Sequence, residues 1–284
     1  MNDEIIYIGG FELPDKNAAA HRVLGNAKIL RELGYKVILI EFNKDCNTDI
    51  ESTKGNCLGF EKWSMRYDNH RFISIKDLKT VIDNYKNVKY IIAYNYPSIA
   101  LARIISFAKK KGIKVIADVT EWYGGLGNNI ITKTIKGMDS YYRMNILQKK
   151  VDGIIAISSY LSNYYSHYVK VVVIPPVVDV TDKKWEASEL PEESNRLRFV
   201  YAGTPGVHKD KINYIIKFLA ETDPADYLMD VFGITKEKYL SYYPEDKDIV
   251  QRLKDKVVFH GNVTHIETIN NLKRADFSAF YREK

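Results

Sequence analysis

The stretch RFVYAGTPGVHKD (198–210) places a short apolar run directly before a loop with two glycines, a proline and a lysine. The run predicts a buried strand, and KINYIIKFLA (211–220) predicts a helix after the loop. Open α/β sheets bind ligands at such strand ends. The loop is either a tight turn, which glycine favours, or an anion site of backbone N–H groups and one lysine. The residues of that anion site would be Gly203, Thr204, Gly206 and Lys209.

The same strand–loop–helix pattern repeats through the second half of the chain. Further apolar runs stand at 227–233, 257–261 and 275–281, with helical patterns between them. Strands that alternate with helices form parallel sheets, so residues 197–284 predict a Rossmann-like domain. Such domains usually have about five or six strands, and this half has four candidates. Either this second domain is unusually small or the chain is a piece of a longer protein, and we expect the latter.

The first half of the chain alternates in the same way. EIIYIG (4–9) predicts a buried strand, followed by a helix from about Asn17 to Leu33 and a strand at 36–42. The further strand candidates are RFISI, VKYIIAY, IKVIAD and GIIAIS. The two prolines of VVVIPPVVDV (171–180) end this half, because proline does not fit inside a central strand.

Residues 181–196 are polar, show no hydrophobic period and are interpreted as a linker between domains. The boundary is therefore expected between residues 178 and 197. The sequence predicts an α/β protein with two Rossmann-like domains, residues 1–178 and 197–284, which face each other across a cleft.

The composition is that of a soluble globular protein, and no apolar run is long enough to cross a bilayer. The first residues do not resemble a secretory signal. Cys46 and Cys57 are the two cysteines, and both fall in what we interpret as a polar connecting region. So few cysteines favour the cytoplasm. The net charge of +6 suits an anionic small molecule or a membrane surface as well as nucleic acid.

The loop after the first strand contains Gly9 and Gly10 but lacks the spacing G-x-G-x-x-G. Binding of NAD or FAD in that manner is therefore not expected. The pair either lets a ligand approach the backbone or forms a plain turn. His21 and Arg22 lie early in the next helix, where they either point into a cleft or form a solvated surface pair.

Polar and aromatic residues follow two other strands. Glu121 comes after IKVIAD, where a carboxylate can act on a substrate hydroxyl. Trp122 and Tyr123 offer flat faces suited to sugar rings, although an aromatic residue packed beneath an ordinary loop would give the same pattern. Asn95 and Tyr96 follow VKYIIAY and could supply hydrogen bonds to a ligand.

Signals for a metal or a covalent nucleophile are weak. The histidines show no H-E-x-x-H spacing, and the chain has no Walker A loop and no G-x-S-x-G elbow. Asp246 and Asp248 match the D-x-D pattern of some metal-dependent sugar transferases, but they lie in a polar helical stretch that we interpret as a solvated face. We expect neither a metal nor a cofactor.

The segment 128–150 is basic, with a single acid at Asp139. Tyrosines and isoleucines interleave with the charges, as they do in helices that lie on anionic lipid, although a plain surface helix has the same features. The cationic residues of this segment are Lys133, Lys136, Arg143, Lys149 and Lys150.

Four stretches together resemble glycosyltransferase family 4 of the GT-B fold, especially its members from bacterial capsule and surface-polysaccharide clusters. They are the Gly9–Gly10 loop with its helix, VDGIIAISSYLSNYYSHYVKVVVIPPVVD, RFVYAGTPGVHKD and VVFHGNVTHIETINNLKRADFSAFY. The resemblance implies a retaining transferase that needs no divalent metal. It also implies a nucleotide-sugar donor on the C-terminal domain and an acceptor on the N-terminal one.

The resemblance also implies roles for individual residues. Lys209 matches the family's diphosphate-binding lysine, whereas Thr204 stands where an arginine is commonest. Glu121 follows the strand after which many members have a histidine, and it is the candidate catalytic residue. The other residues expected to contact the donor diphosphate are Gly203, Gly206 and Gly10. The residues expected to contact the acceptor are Arg22, Asn95, Tyr96 and Trp122.

The expected function is hexosyl transfer from a nucleotide sugar to a saccharide or lipid-linked acceptor in surface-polysaccharide synthesis. Nucleic acid is not an expected partner. The family's pair of glutamates falls beyond residue 284, so this piece is expected to be inactive by itself. The alternative is a non-catalytic module that binds a sugar or a partner on the same fold. We expect a cytoplasmic protein that can contact the inner face of the membrane.

Overall fold

The computed structural model describes residues 3–43, 54–67, 73–122, 130–186, 195–205, 210–222 and 227–281. The chain divides into two compact units, Met1–Asp179 and Val180–Lys284. Each unit has its own sheet and its own hydrophobic core.

The first unit is built on an eight-stranded sheet. Its strands are β1 (Glu4–Gly9), β2 (Lys36–Asn43), β3 (Lys54–Cys57), β4 (Phe60–Arg66), β5 (Val88–Tyr94), β6 (Lys114–Val119), β7 (Gly153–Ala156) and β8 (Val171–Val173). The order across the sheet is β3-β4-β2-β1-β5-β6-β7-β8, and all neighbours are parallel except β3 and β4. β1 and most of β2 are buried, which explains their nearly continuous apolar sequences.

Helices cover both faces of this sheet. They are α1 (Ala18–Glu32), α2 (Lys76–Ile82), α3 (Ser98–Lys111), α4 (Ile130–Tyr142) and α5 (Ser159–Tyr165). A π-helical turn (Arg143–Leu147) and a 3₁₀ turn (Gln148–Lys150) continue α4. The side chain of Asn17 caps α1 by accepting from Ala20 N, and Gly34, with φ of 90°, follows the end of the helix.

The second unit has a parallel four-stranded sheet in the order β11-β10-β9-β12. Its strands are β9 (Leu197–Ala202), β10 (Tyr227–Phe232), β11 (Val257–Gly261) and β12 (Phe277–Ser278). Its helices are α6 (Ile212–Ala220), α7 (Lys236–Tyr242), α8 (Lys247–Arg252) and α9 (His265–Lys273). All four strands predicted for this half are present.

One part of the first half differs from the prediction. Residues 73–75, the described part of RFISI, are not a strand, and Ile75 immediately precedes α2. The sheet instead gains the hairpin of β3 and β4, in which Cys57 is a buried strand residue. The hairpin turns at Leu58 and Gly59, both with positive φ. Leucine is uncommon at a positive φ, and this turn was not predicted. Cys46 lies outside the described residues.

Candidate functional site

Three glycines lie side by side at the carboxyl ends of the strands of the second unit. Gly203 N donates to Phe232 O at 3.2 Å, and Gly233 N donates to Gly261 O at 2.7 Å. Gly233 has a φ of 94°, and a Cβ there would stand 1.9 Å from Gly203 O. The loop after β9 is therefore packed backbone to backbone against the loop after β10, and only glycine fits between them.

The described part of the loop after β9 faces solvent, because Gly203 and Thr204 are both exposed. Where the chain is described again, Asp210 is buried and accepts from the Tyr201 hydroxyl at 3.2 Å. This bond fixes the segment that leads into α6. The other two residues predicted for the anion site, Gly206 and Lys209, lie outside the described residues.

A buried charged network stands beneath the strand ends of the first unit. The Arg22 guanidinium donates to Asp118 Oδ1 at 2.8 Å and to the Ile174 carbonyl at 2.8 Å. The Tyr7 hydroxyl also donates to Asp118, and Asn26 Nδ2 donates to the Tyr7 hydroxyl at 3.1 Å. Burial raises the pKa of Asp118, although Arg22 opposes the shift. The solvated surface pair considered for Arg22 is therefore wrong, because its side chain is buried.

Asn95 joins the ends of β5 and β6. Its N–H donates to Asp118 O at 3.1 Å, and its Nδ2 donates to Thr120 Oγ1 at 2.5 Å. Thr120 N returns a bond to Asn95 Oδ1 at 3.3 Å. The φ of 46° is a left-handed conformation, which asparagine tolerates better than most residues. Asn95 is thus fixed at the sheet edge, although its amide is engaged by Thr120.

Tyr96 lies in the hydrophobic core instead of at the surface. Its side chain is 3% exposed and meets the edge of Phe42, with 6.4 Å between ring centroids. Burial raises the pKa of Tyr96 well above its usual value. Because the ring packs inside the unit, this burial argues against the acceptor contact predicted for Tyr96.

Glu121 and Trp122 are exposed after β6. Trp122 is 45% exposed and makes edge-on contacts with Tyr164 and Tyr160, with centroid distances of 4.8 and 5.9 Å. Trp122 is therefore part of a partly exposed aromatic cluster. The tyrosines of this cluster were not predicted as site residues, although Tyr160 and Tyr164 are spaced by four residues on α5. Tyr123 lies outside the described residues.

The loop after β1 is held by the carboxylate of Glu41, which was not predicted as a site residue. Glu41 is buried and accepts from Leu13 N at 2.7 Å and from Lys62 Nζ at 2.8 Å. Gly9 allows β1 and β5 to approach, because a Cβ there would lie 2.7 Å from the Tyr94 Cβ. Gly10 is exposed at the start of the loop.

The D-x-D pattern is partly buried, which corrects its interpretation as a solvated face. Asp246 is fully buried, accepts from the Tyr239 hydroxyl at 2.5 Å and pairs with Lys217 Nζ at 3.2 Å. Asp246 therefore joins α6, α7 and α8. Within the described ranges, no group of three or more histidine, cysteine or carboxylate side chains is placed to hold a metal ion.

Arg143 also differs from its predicted place in a solvent-facing basic segment. It is buried, and its Nη1 donates to Asn95 O at 3.4 Å.

In the part of the chain that the structure describes, no helix is long and apolar enough to span a bilayer.

No protein-family model and no curated protein sequence matches the chain. Solved structures do match. Sucrose-phosphate synthase from Thermosynechococcus elongatus is similar with a TM-score of 0.68 and 13% identity, over 98% of this chain and 75% of that one. The catalytic domain of starch synthase IV from Arabidopsis thaliana, bound to ADP and acarbose, has a TM-score of 0.69 and 13% identity, over 98% and 78%.

Anabaena Alr3699/HepE in complex with UDP and glucose has a TM-score of 0.59 and 16% identity, over 95% of this chain and 71% of that one. These similarities establish for this chain the fold of GT-B glycosyltransferases, with parallel sheets flanked by helices. The predicted fold class is thus confirmed.

Proposed function

We propose that the protein is a retaining glycosyltransferase that uses a nucleotide-sugar donor. One observation carries the proposal: the exposed backbone of Gly203 and Thr204 packs on Gly233 at the carboxyl end of a parallel sheet. This is where open α/β sheets bind ligands. The chain shares its fold with glycosyltransferases, among which HepE was solved with UDP-glucose.

The donor diphosphate would lie against the loop after β9. Backbone N–H groups carry partial positive charge that suits phosphate oxygens, and glycine lets the phosphates approach the chain closely. In this proposal the Gly206 N–H and the Thr204 hydroxyl bind the phosphates, and Lys209 supplies the positive charge. The Gly203 N–H is engaged by Phe232 O, so Gly203 contributes by letting the phosphates approach the chain.

The acceptor would lie at the strand ends of the first unit. Glu121 would accept a hydrogen bond from the reacting hydroxyl, and Trp122 would stack against a sugar ring. Asn95 Nδ2 has a second N–H beside the one donated to Thr120, and this N–H would donate to the acceptor. Arg22, which is buried, would act as a positioning residue by holding Asp118 beneath the same sheet edge.

We further propose that the enzyme transfers a hexose to a saccharide or lipid-linked acceptor in surface-polysaccharide synthesis, as in family 4. It would act in the cytoplasm, on the inner face of the membrane. A second candidate is a sugar-binding module without catalysis. The exposed Trp122–Tyr160 cluster favours this second function, because aromatic faces bind sugars without any chemistry.

Donor turnover separates these two functions. The protein, expressed from its complete gene, is incubated with UDP-, GDP- and ADP-linked hexoses, and the release of nucleoside diphosphate is measured with and without saccharide acceptors. If the protein is a transferase, we expect nucleoside diphosphate to be released from one donor class, and the release should increase when an acceptor is added. Saccharide binding without any release from the three donor classes would support the binding module and contradict the transferase.

A further inference from the structure

Helix α4 exposes a row of large apolar side chains. Ile135 and Met138 are 62% and 68% exposed, and Tyr141 and Tyr142 are also exposed. Ile135, Met138 and Tyr142 are spaced by three and four residues, so they share one side of the helix. Single exposed apolar residues are ordinary, whereas a contiguous patch marks an interaction surface.

The charges of α4 that face solvent are all positive. Lys133 and Lys136 are exposed in the same turns as Ile135 and Met138. Asp139 is the only acid in the helix, and its Oδ1 accepts from Ser98 N at 2.9 Å and from Ser98 Oγ at 2.7 Å. Because that carboxylate is engaged at the start of α3, it does not neutralise the exposed lysines.

The aromatic cluster on α5 is joined to the end of α4. Asn145 connects the two, since its Nδ2 donates to Tyr141 O at 3.1 Å and its Oδ1 accepts from the Tyr164 hydroxyl at 2.6 Å. Lys149 Nζ lies 3.9 Å from the centroid of the Tyr168 ring. Lysines beside exposed tyrosine and tryptophan are typical of a membrane–water interface, where apolar rings and charged groups are both accommodated.

We propose that α4 lies on an anionic lipid bilayer and inserts Ile135, Met138 and Tyr142 among the acyl chains. Lys133 and Lys136 would contact the anionic headgroups. The surface combines an apolar row with cations and no exposed acid, and a bilayer of anionic lipid is complementary to both properties. This inference goes beyond the transfer reaction, because attachment needs neither donor nor acceptor.

Flotation with vesicles tests the proposal. The protein is mixed with vesicles of phosphatidylcholine alone or with added phosphatidylglycerol, and the bound fraction is measured at increasing salt. We expect binding that requires phosphatidylglycerol and falls with salt. Replacing Lys133 and Lys136 by glutamine should weaken binding by about fivefold for each lysine. The variant Ile135→Gln/Met138→Gln should weaken it by about tenfold or more, because apolar insertion is lost.

Matched variants on other helices separate docking by α4 from a general effect of charge or apolar surface. Lys109→Gln/Lys110→Gln removes the same charge from the last turn of α3, and Ile266→Gln/Leu272→Gln removes exposed apolar side chains from α9. Both should bind vesicles like the unchanged protein, and circular dichroism confirms that each variant is folded.

The proposal is overturned if binding does not depend on phosphatidylglycerol, or if the control variants lose as much binding as the α4 variants. Absence of vesicle binding would also overturn it, and α4 would then face a saccharide or a protein. None of these outcomes bears on donor turnover, so the proposed transferase activity stands or fails separately.

Discussion

The two units form their strand-end sites by different physical means. In the first unit, buried side chains hold the carboxyl ends of the strands together: Arg22 pairs with Asp118, and the Asp118 carbonyl accepts from Asn95 N. In the second unit, the carboxyl ends of the strands are held by backbone contact between Gly233 and Gly203. The first site should therefore be sensitive to the loss of a side chain, and the second to the gain of one.

The largest effect is expected from breaking the buried pair. Arg22→Met leaves Asp118 without its cation in a buried position, so the free energy of unfolding should fall by about 3–5 kcal/mol. Denaturant unfolding measures the loss. The exposed pair of Lys28 and Asp179, at 2.7 Å, is the control, and Lys28→Met should lower stability by less than about 1 kcal/mol. Equal losses in the two variants would contradict the role given to burial.

Gly233→Ala should have the next largest effect. The new Cβ would meet the Gly203 carbonyl, and a positive φ is unfavourable for alanine, so we expect a loss of roughly 2–4 kcal/mol in the free energy of unfolding. Gly34 has a similar φ of 90° with nothing within 4 Å of its Cβ position. Gly34→Ala should therefore lose only about 1–2 kcal/mol, the backbone part. If both variants lose the same amount, the packing of the two loops is not essential.

Lys209→Ala tests the contribution of a side chain to the second site. Removal of a charged hydrogen-bond donor should weaken nucleoside diphosphate binding by roughly 1.5–3 kcal/mol, with folding stability unchanged. Calorimetric titration with UDP, GDP and ADP measures this effect. Lys211→Ala, two residues further along the chain, should leave the affinity unchanged. An unchanged affinity in Lys209→Ala would refute the diphosphate contact.

The smallest effect is expected at Asn95. Asn95→Gly keeps the freedom to adopt a positive φ but removes the bonds with Thr120, so stability should fall by about 1 kcal/mol. Asn95→Ala should lose roughly 1 kcal/mol more, because alanine disfavours that φ. Thermal unfolding of the two variants separates the side-chain contribution from the backbone contribution. If the glycine variant is the less stable of the two, that separation is wrong.

The sequence predicted the central strands because they are buried and apolar along nearly their whole length. It did not predict β3, whose residues Lys54–Cys57 are mostly polar and exposed at the sheet edge. β3 is held in an extended conformation by its pairing with β4, and such pairing leaves no hydrophobic period in the sequence.

The predictions for individual site residues depended on tertiary contacts. Glu121 and Trp122 stand at the exposed strand end where the sequence placed them, because strand ends are visible from the sequence. The sequence left a cleft position and a surface position open for Arg22, because its partner Asp118 is 96 positions away. Tyr96 follows Asn95 directly but turns into the core, and local sequence does not determine that direction.

A nucleoside diphosphate is expected to bind to the loop after β9. Hydrogen exchange measured with and without UDP, GDP or ADP tests this most directly, because it reports on the backbone N–H groups that would bind the phosphates. We expect slower exchange in the segment 203–211 with one of the three nucleotides, while amides of α2, remote in sequence from the loop, exchange as before. No change in that segment with any of the three, or protection confined to the first unit, would show that the diphosphate does not bind at this loop.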